Sequence, residues 1–144
     1  RYLLYESEHG NTKLSREIEF MTNYIDLMKL RLNEKILFTV EFNLKDDISV
    51  PPLLFIPFIE NAFKHGISYR EKSFISVNLS AGADSVSFRC VNSLVKGSEK
   101  DSSYSGIGLE NVRKRLALLF PGKHELKIKK SDGEFEVLLK ISLA

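Results

Sequence analysis

The chain has 144 residues, with 21 Lys+Arg against 19 Asp+Glu, a formal net charge of +2, 43% hydrophobic residues, one cysteine and no tryptophan. This composition describes one ordinary globular domain that buries roughly two thirds of its unfolded surface, and it excludes disordered and collagen-like chains. The near-balanced charge argues against a nucleic-acid partner, the single Cys90 excludes an internal disulfide, and no apolar run approaches the length needed to span a membrane.

The opening Arg1-Tyr2-Leu3-Leu4-Tyr5 shows neither an initiator Met nor a signal-peptide pattern, so the chain is expected to be a piece of a longer protein. Leu14, Ile18, Met21, Ile25, Met28 and Leu32 recur at spacings of 4 and 3, which predicts a long helix over Leu14 to Leu32. Tyr24, Leu27 and Leu30 lie off that stripe and form a second apolar edge. The stripe reads either as a core helix of one monomer or as a heptad seam for a partner helix.

Ile36, Phe38, Val40 and Phe42 alternate as a half-buried strand. After Pro51-Pro52, a helix is predicted from Leu53 to His65, with Pro57 in its first turns. Phe74 to Leu79 and Ser85 to Val91 form a hairpin that places Cys90 as a small buried hydrophobe. Ser93 to Ser105, rich in Ser, Lys and Gly, has little to bury and reads as a surface loop. A helix over Gly108 to Phe120 and a second hairpin, Leu126 to Lys130 with Phe135 to Leu143 around Asp132-Gly133, complete the chain. Helices falling between strand pairs predict a two-layer α/β sandwich with a mixed, mostly antiparallel sheet and the helices on one face.

Two segments bear chemistry. On a helical projection of Phe55 to His65, Glu60, Asn61, Lys64 and His65 are assigned to the polar side, where an amide, an ammonium and an imidazole could face one ligand. That set suits Mg²⁺ and phosphate, or it is a solvated face with a Glu60–Lys64 ion pair. The second segment, Ser105-Gly106-Ile107-Gly108-Leu109-Glu110-Asn111, sets two glycines at a helix start, where backbone N–H groups and the helix dipole favour an anion. It lacks the third glycine and the preceding strand of a dinucleotide fingerprint. His9 and His124 read as surface residues.

Pro57-Phe58-Ile59-Glu60-Asn61-Ala62-Phe63-Lys64-His65-Gly66 resembles the N box of GHKL-type ATP-binding domains. Gly106-Ile107-Gly108-Leu109-Glu110-Asn111-Val112-Arg113-Lys114-Arg115-Leu116, about forty residues on, resembles their later glycine box. The order and spacing resemble in particular the LytS/YehU-type sensor histidine kinases, and Leu14 to Arg31 resembles the second helix of that family's dimerisation hairpin.

The resemblance implies a Bergerat-type ATP-binding fold, with residues 35–144 as the catalytic domain and residues 1–34 as the end of a dimerisation hairpin. It implies ATP and Mg²⁺ as cofactors, Asn61 as the metal ligand, and Glu60, Lys64 and His65 near the metal and phosphates. Asn92, Gly106, Ile107, Gly108, Leu109 and Asn111 would contact nucleotide, and the Ser93–Ser105 loop would be the ATP lid. The implied reaction passes the ATP γ-phosphate to a histidine upstream of Arg1 and then to a response regulator. The implied setting is a homodimer joined through the N-terminal helix, in the cytoplasmic part of an inner-membrane sensor anchored only by upstream segments. Asn92 departs from the family's Asp-x-Gly motif, which keeps two alternatives open: a degenerate nucleotide-binding or dimerisation module without kinase activity, and a GHKL ATPase or anti-sigma-type serine kinase.

Overall fold

In the computed structural model, residues 10–32, 35–68, 70–94 and 107–143 are described, and within them five strands form one sheet with three helices on one face. The sheet has the order β2-β4-β5-β7-β6, built from β2 (Ile36–Leu44), β4 (Ser73–Ala81), β5 (Ser85–Ser93), β6 (His124–Ser131) and β7 (Glu134–Ser142). β2 and β4 run parallel, with Phe38 opposite Ile75, and the remaining pairs are antiparallel. The parallel pair needs a crossover, and it is supplied by the segment containing α2 (Ile56–His65). The expected mixed two-layer sandwich is the observed one.

Both hairpins extend beyond their sequence-predicted ends, so that Asn92 and Ser93 lie inside β5, paired opposite Phe135 and Glu134 of β7. Ile75, Val77, Leu79, Phe88, Cys90, Val137 and Leu139 all face the helices and are buried. The opposite face is open and bears an Arg89–Glu136 ion pair at 2.7 Å. Phe88 meets the rings of Phe55 and Phe58 at centroid distances of 5.1 and 5.7 Å, fixing α2 over the centre of the sheet. Burial pushes the Cys90 thiol up to about 12, which leaves it an inert packing group, as read from its alternating strand.

α1 (Leu14–Lys29) ends three residues earlier than its periodicity predicts. Arg31 and Leu32 donate to the carbonyls of Met28 and Lys29, three residues back, so the helix tightens into a final narrow turn. Its start is held by Asp47, whose carboxylate accepts from the Ser15 N–H at 2.9 Å and the Ser15 hydroxyl at 2.7 Å. A short antiparallel pair, β1 (Thr12–Lys13) with β3 (Ser49–Val50), precedes this start and was not evident from the residues alone.

The α1 stripe resolves the two readings left open for it. Leu14, Met21 and Ile25 are buried in the same cluster as Phe58, Ile75 and Leu139, so the stripe faces the chain's own core and is not an uncovered heptad seam. The large exposed apolar residues here are Leu27 of α1 and Leu30 just past its end, at 66% and 82%. Asn33 and Glu34, at the expected domain boundary, lie outside the described residues, as do Arg1 to His9 and most of the Ser93–Ser105 loop.

Candidate functional site

α2 brings the first half of the site into place. It begins at Ile56 and not at Leu53, because Leu53 has φ +58°, a left-handed conformation that cannot continue into a right-handed helix. Pro57 stands in the first turn, where its missing N–H has no intrahelical partner to lose. From there Phe58, Ile59, Ala62 and Phe63 pack inward, Glu60 and Lys64 are exposed, and Asn61 is half-buried at the margin between them.

His65 corrects the sequence projection. It falls two turns after Phe58, on the same side of the helix, and is only 4% exposed, so it does not join the solvated edge with Lys64. Tyr24 of α1 lies against this end of α2, its ring edge-on to Phe63 at 5.9 Å. Burial and the nearby Glu60 carboxylate push the Tyr24 phenol up, while Arg31 opposes them.

The second half of the site is the end of β5. A Cβ on Gly66 would stand 2.7 Å from both the Ala62 carbonyl oxygen and the Asn92 Cβ, so only glycine lets α2 end against this strand. Asn92 is 1% exposed, and its Nδ2 donates to the Ser93 carbonyl at 2.8 Å. The Ser93 hydroxyl accepts from the Phe74 N–H at 2.9 Å and donates to the Gly66 carbonyl at 3.0 Å. One hydroxyl therefore ties α2 to two strands. This residue was missed by sequence reasoning, and a serine in a surface-loop composition offers no signal for it.

α3 (Ile107–Leu119) supplies the third part. Leu109, Val112 and Leu116 are buried toward the core, while Gly108 and Asn111 are exposed. Gly106 and the Ile107 side chain lie outside the described residues. Among the described residues, a Cβ on Gly108 would meet nothing within 4 Å, and its φ is not positive. The described residues therefore place no demand for glycine there. The exposed Gly108 at a helix start fits an anionic ligand that approaches the backbone closely, and the half-buried Asn61 amide fits a hard metal ion.

Arg115, a member of the glycine box, reaches from α3 to the loop before α2: Nη1 donates to the Leu53 carbonyl at 3.0 Å and Nη2 to the Pro52 carbonyl at 2.6 Å. Glu17 of α1, 2% exposed, accepts from the Leu53 N–H at 2.7 Å. Burial lowers the Arg115 guanidinium pKa and the nearby Glu17 carboxylate opposes that shift. Glu17 did have a signal in the sequence, since a carboxylate in step with Leu14 and Met21 sits on the apolar stripe. Of the remaining histidines, His124 is hydrogen-bonded through Nδ1 to the Phe120 carbonyl at 2.8 Å, and His9 lies outside the described residues.

The arrangement matches solved structures across nearly its whole length. The catalytic domain of histidine kinase ThkA superposes with a TM-score of 0.64 over 92% of this chain and 94% of that domain, at 15% identity. The fold is that of a histidine kinase catalytic domain. The histidine kinase domain of the Erythrobacter litoralis blue-light activated kinase matches at a TM-score of 0.63 and 18% identity, over 87% of this chain and 64% of that one. The mycobacterial sensor histidine kinase MprB matches at 0.58 and 13%, over 92% and 95%.

In sequence, the chain is similar to the sensor protein LytS of Oceanobacillus iheyensis, 24% identical over 136 residues. The match takes in 83% of this chain but 23% of LytS, so the chain spans about a quarter of that relative's length. No sequence-family profile matches the chain. Among the described residues, no helix is long and apolar enough to cross a membrane, and no group of three or more His, Cys, Asp or Glu is placed to hold a metal ion.

Proposed function

We propose that this chain is the ATP-binding catalytic domain of a LytS-type protein-histidine kinase, acting on a histidine outside the chain. The observation that supports it is that, in a histidine-kinase fold, the end of α2 is tied to the end of β5 through Gly66 and Ser93 while α3 is tied through Arg115 to the segment just before α2. Bound Mg²⁺-ATP would supply the transferable phosphoryl group, with the metal offsetting charge on the phosphate oxygens. Asn61 is the metal ligand in this reading, and Gly108 leaves the backbone at the start of α3 open to the phosphates. Glu60 and Lys64 stand exposed beside Asn61, where they adjust the local charge. The buried His65 acts by packing and orientation, not as a freely moving group.

Asn92 takes the position from which an amide oxygen can accept a hydrogen bond from the base. In this reading α1, whose stripe packs into the core, belongs to the catalytic domain and not to a dimerisation hairpin, the domain is cytoplasmic within a membrane-anchored sensor, and the downstream partner is a response regulator. ThkA has been solved in complex with the response regulator protein TrrA, which supports a partner of that kind.

The test is a titration with a fluorescent ATP analogue, with and without Mg²⁺, followed by trans-phosphorylation of a supplied acceptor helix. Asn61→Ala deletes the metal ligand while keeping a good helix former, so the variant should fold and lose at least about tenfold in Mg²⁺-dependent affinity. Equal binding by a folded variant refutes the assignment. One second reading, a nucleotide-binding module without kinase activity, is favoured by the uncharged Asn92, and labelling of the acceptor helix would remove it.

A further inference from the structure

Leu53 is the one described non-glycine residue with positive φ, and both sides of its peptide framework are held by charged side chains from other helices. Its N–H donates to Glu17 of α1, and its carbonyl and that of Pro52 accept from Arg115 of α3. A non-glycine residue keeps a left-handed backbone only where its surroundings over-determine it. Here a buried carboxylate and a partly buried guanidinium do so from opposite sides, each within the other's field.

The placement of this clamp relative to the site matters. Three residues beyond Leu53, α2 begins, bearing Asn61. Arg115 lies seven residues after Gly108, two turns along the same side of α3. A shift of α1 that moves Glu17 therefore acts on the Leu53 peptide, and through Arg115 on the start of α3.

We propose that Glu17 and Arg115 are positioning residues of the nucleotide site: by holding Leu53 between them they set where the glycine-box helix sits relative to Asn61, and so link α1 to nucleotide affinity. The inference rests on the nucleotide-binding reading above. Neither residue touches the ligand in this scheme. The guanidinium fork is needed because two carbonyls, of Pro52 and Leu53, are bound at once, and a lysine ammonium at the same position cannot span both in the same geometry. Glutamine at position 17, by contrast, keeps an oxygen that accepts from the Leu53 N–H.

The experiment uses the 144-residue chain and two readouts, calorimetric affinity for a non-hydrolysable ATP analogue with Mg²⁺ and thermal unfolding without ligand. The variants are Glu17→Met, Glu17→Gln, Arg115→Lys and the Glu17→Met/Arg115→Lys double. Arg115→Lys and Glu17→Met are expected to weaken the analogue by about three- to thirtyfold. The double variant should be no weaker than the worse single one, because either change releases the same peptide. Glu17→Gln should retain most of the affinity, and adenosine, which lacks phosphates, should be affected much less than the triphosphate.

If Glu17→Met does not fold, Arg115→Lys against Glu17→Gln still decides. A folded Arg115→Lys variant with parental affinity, strictly additive losses in the double variant, or equal losses for adenosine and the triphosphate would each overturn the positioning role. A parent chain that binds no nucleotide would overturn the function itself, and the inference with it. Parental binding with indifferent variants overturns the inference alone.

Discussion

Gly66 and Gly108 separate what the fold requires from what a ligand requires. A methyl group at Gly66 stands 2.7 Å from a helix carbonyl and 2.7 Å from the Asn92 Cβ, neither of which belongs to the free end of a flexible chain. Backbone must move, which puts Gly66→Ala at the upper end of overpacking costs, about 3 kcal/mol. For a domain of this length that is a fall of roughly 10 °C in the unfolding midpoint. Gly108→Ala meets nothing within 4 Å and replaces glycine in a helix, so the ligand-free protein should be unchanged or stabilised by up to about 1 kcal/mol. In the proposed function the same methyl group would occupy the space through which phosphate oxygens reach the backbone N–H groups. Mg²⁺-ATP affinity should therefore drop by about 10- to 100-fold, the equivalent of roughly 1.4 to 2.7 kcal/mol. Scanning calorimetry of both variants, with and without a non-hydrolysable analogue, reads both effects. A Gly108→Ala protein that binds the analogue like the parent would show that no ligand approaches α3 there, and an unchanged midpoint for Gly66→Ala would refute the packing of α2 on β5.

Asn92→Asp should trade stability for selectivity. The carboxylate loses the donor that now serves the Ser93 carbonyl, costing the ligand-free protein about 1–3 kcal/mol, while the preference for ATP over GTP should rise, as thermal unfolding and competition binding will report. The Ser15 hydroxyl and N–H hold the Asp47 carboxyl below its ordinary value of 3.8, so the ionised form stabilises α1 in the folded state above that value, and the contribution fades as pH falls through the lower folded value. Asp47→Asn should therefore flatten the acid limb of a stability-versus-pH curve and leave neutral-pH nucleotide affinity unchanged. Incubated alone with γ-labelled ATP, the 144-residue chain should gain no acid-labile phosphate, because His65 is buried on the helix that bears Asn61 and His124 is engaged with the Phe120 carbonyl. Stoichiometric phosphohistidine at either residue, mapped by mass spectrometry, would contradict this.

What was legible in the residues follows from which interactions are periodic. Ile75, Val77 and Leu79 alternate because a sheet has one dry face, and that period makes the strands and the sandwich legible in the sequence. Strand ends were less legible: Asn92 and Ser93 continue β5 although polar, because their partners are Phe135 and Glu134 of a strand about forty residues away. The glycine box was visible as a motif, but composition could not say that Gly108 is free of steric demand while Gly66 is not. That distinction depends on a strand crossing the end of α2.

The least legible features are those in which charge is buried. A helical projection sorts side chains by polarity, so it put His65 outside, and the apolar stripe of α1 gave Glu17 no role. The fold sorts them by position, and both are buried. A carboxylate withdrawn from water is tolerated only where it is paired and hydrogen-bonded, and Glu17 has the Leu53 N–H with the Arg115 charge close by. The left-handed turn at Leu53 exists because those two charges hold it, and the late start of α2 follows from that turn. A residue that looked out of place on its stripe thus determines where the helix bearing Asn61 begins.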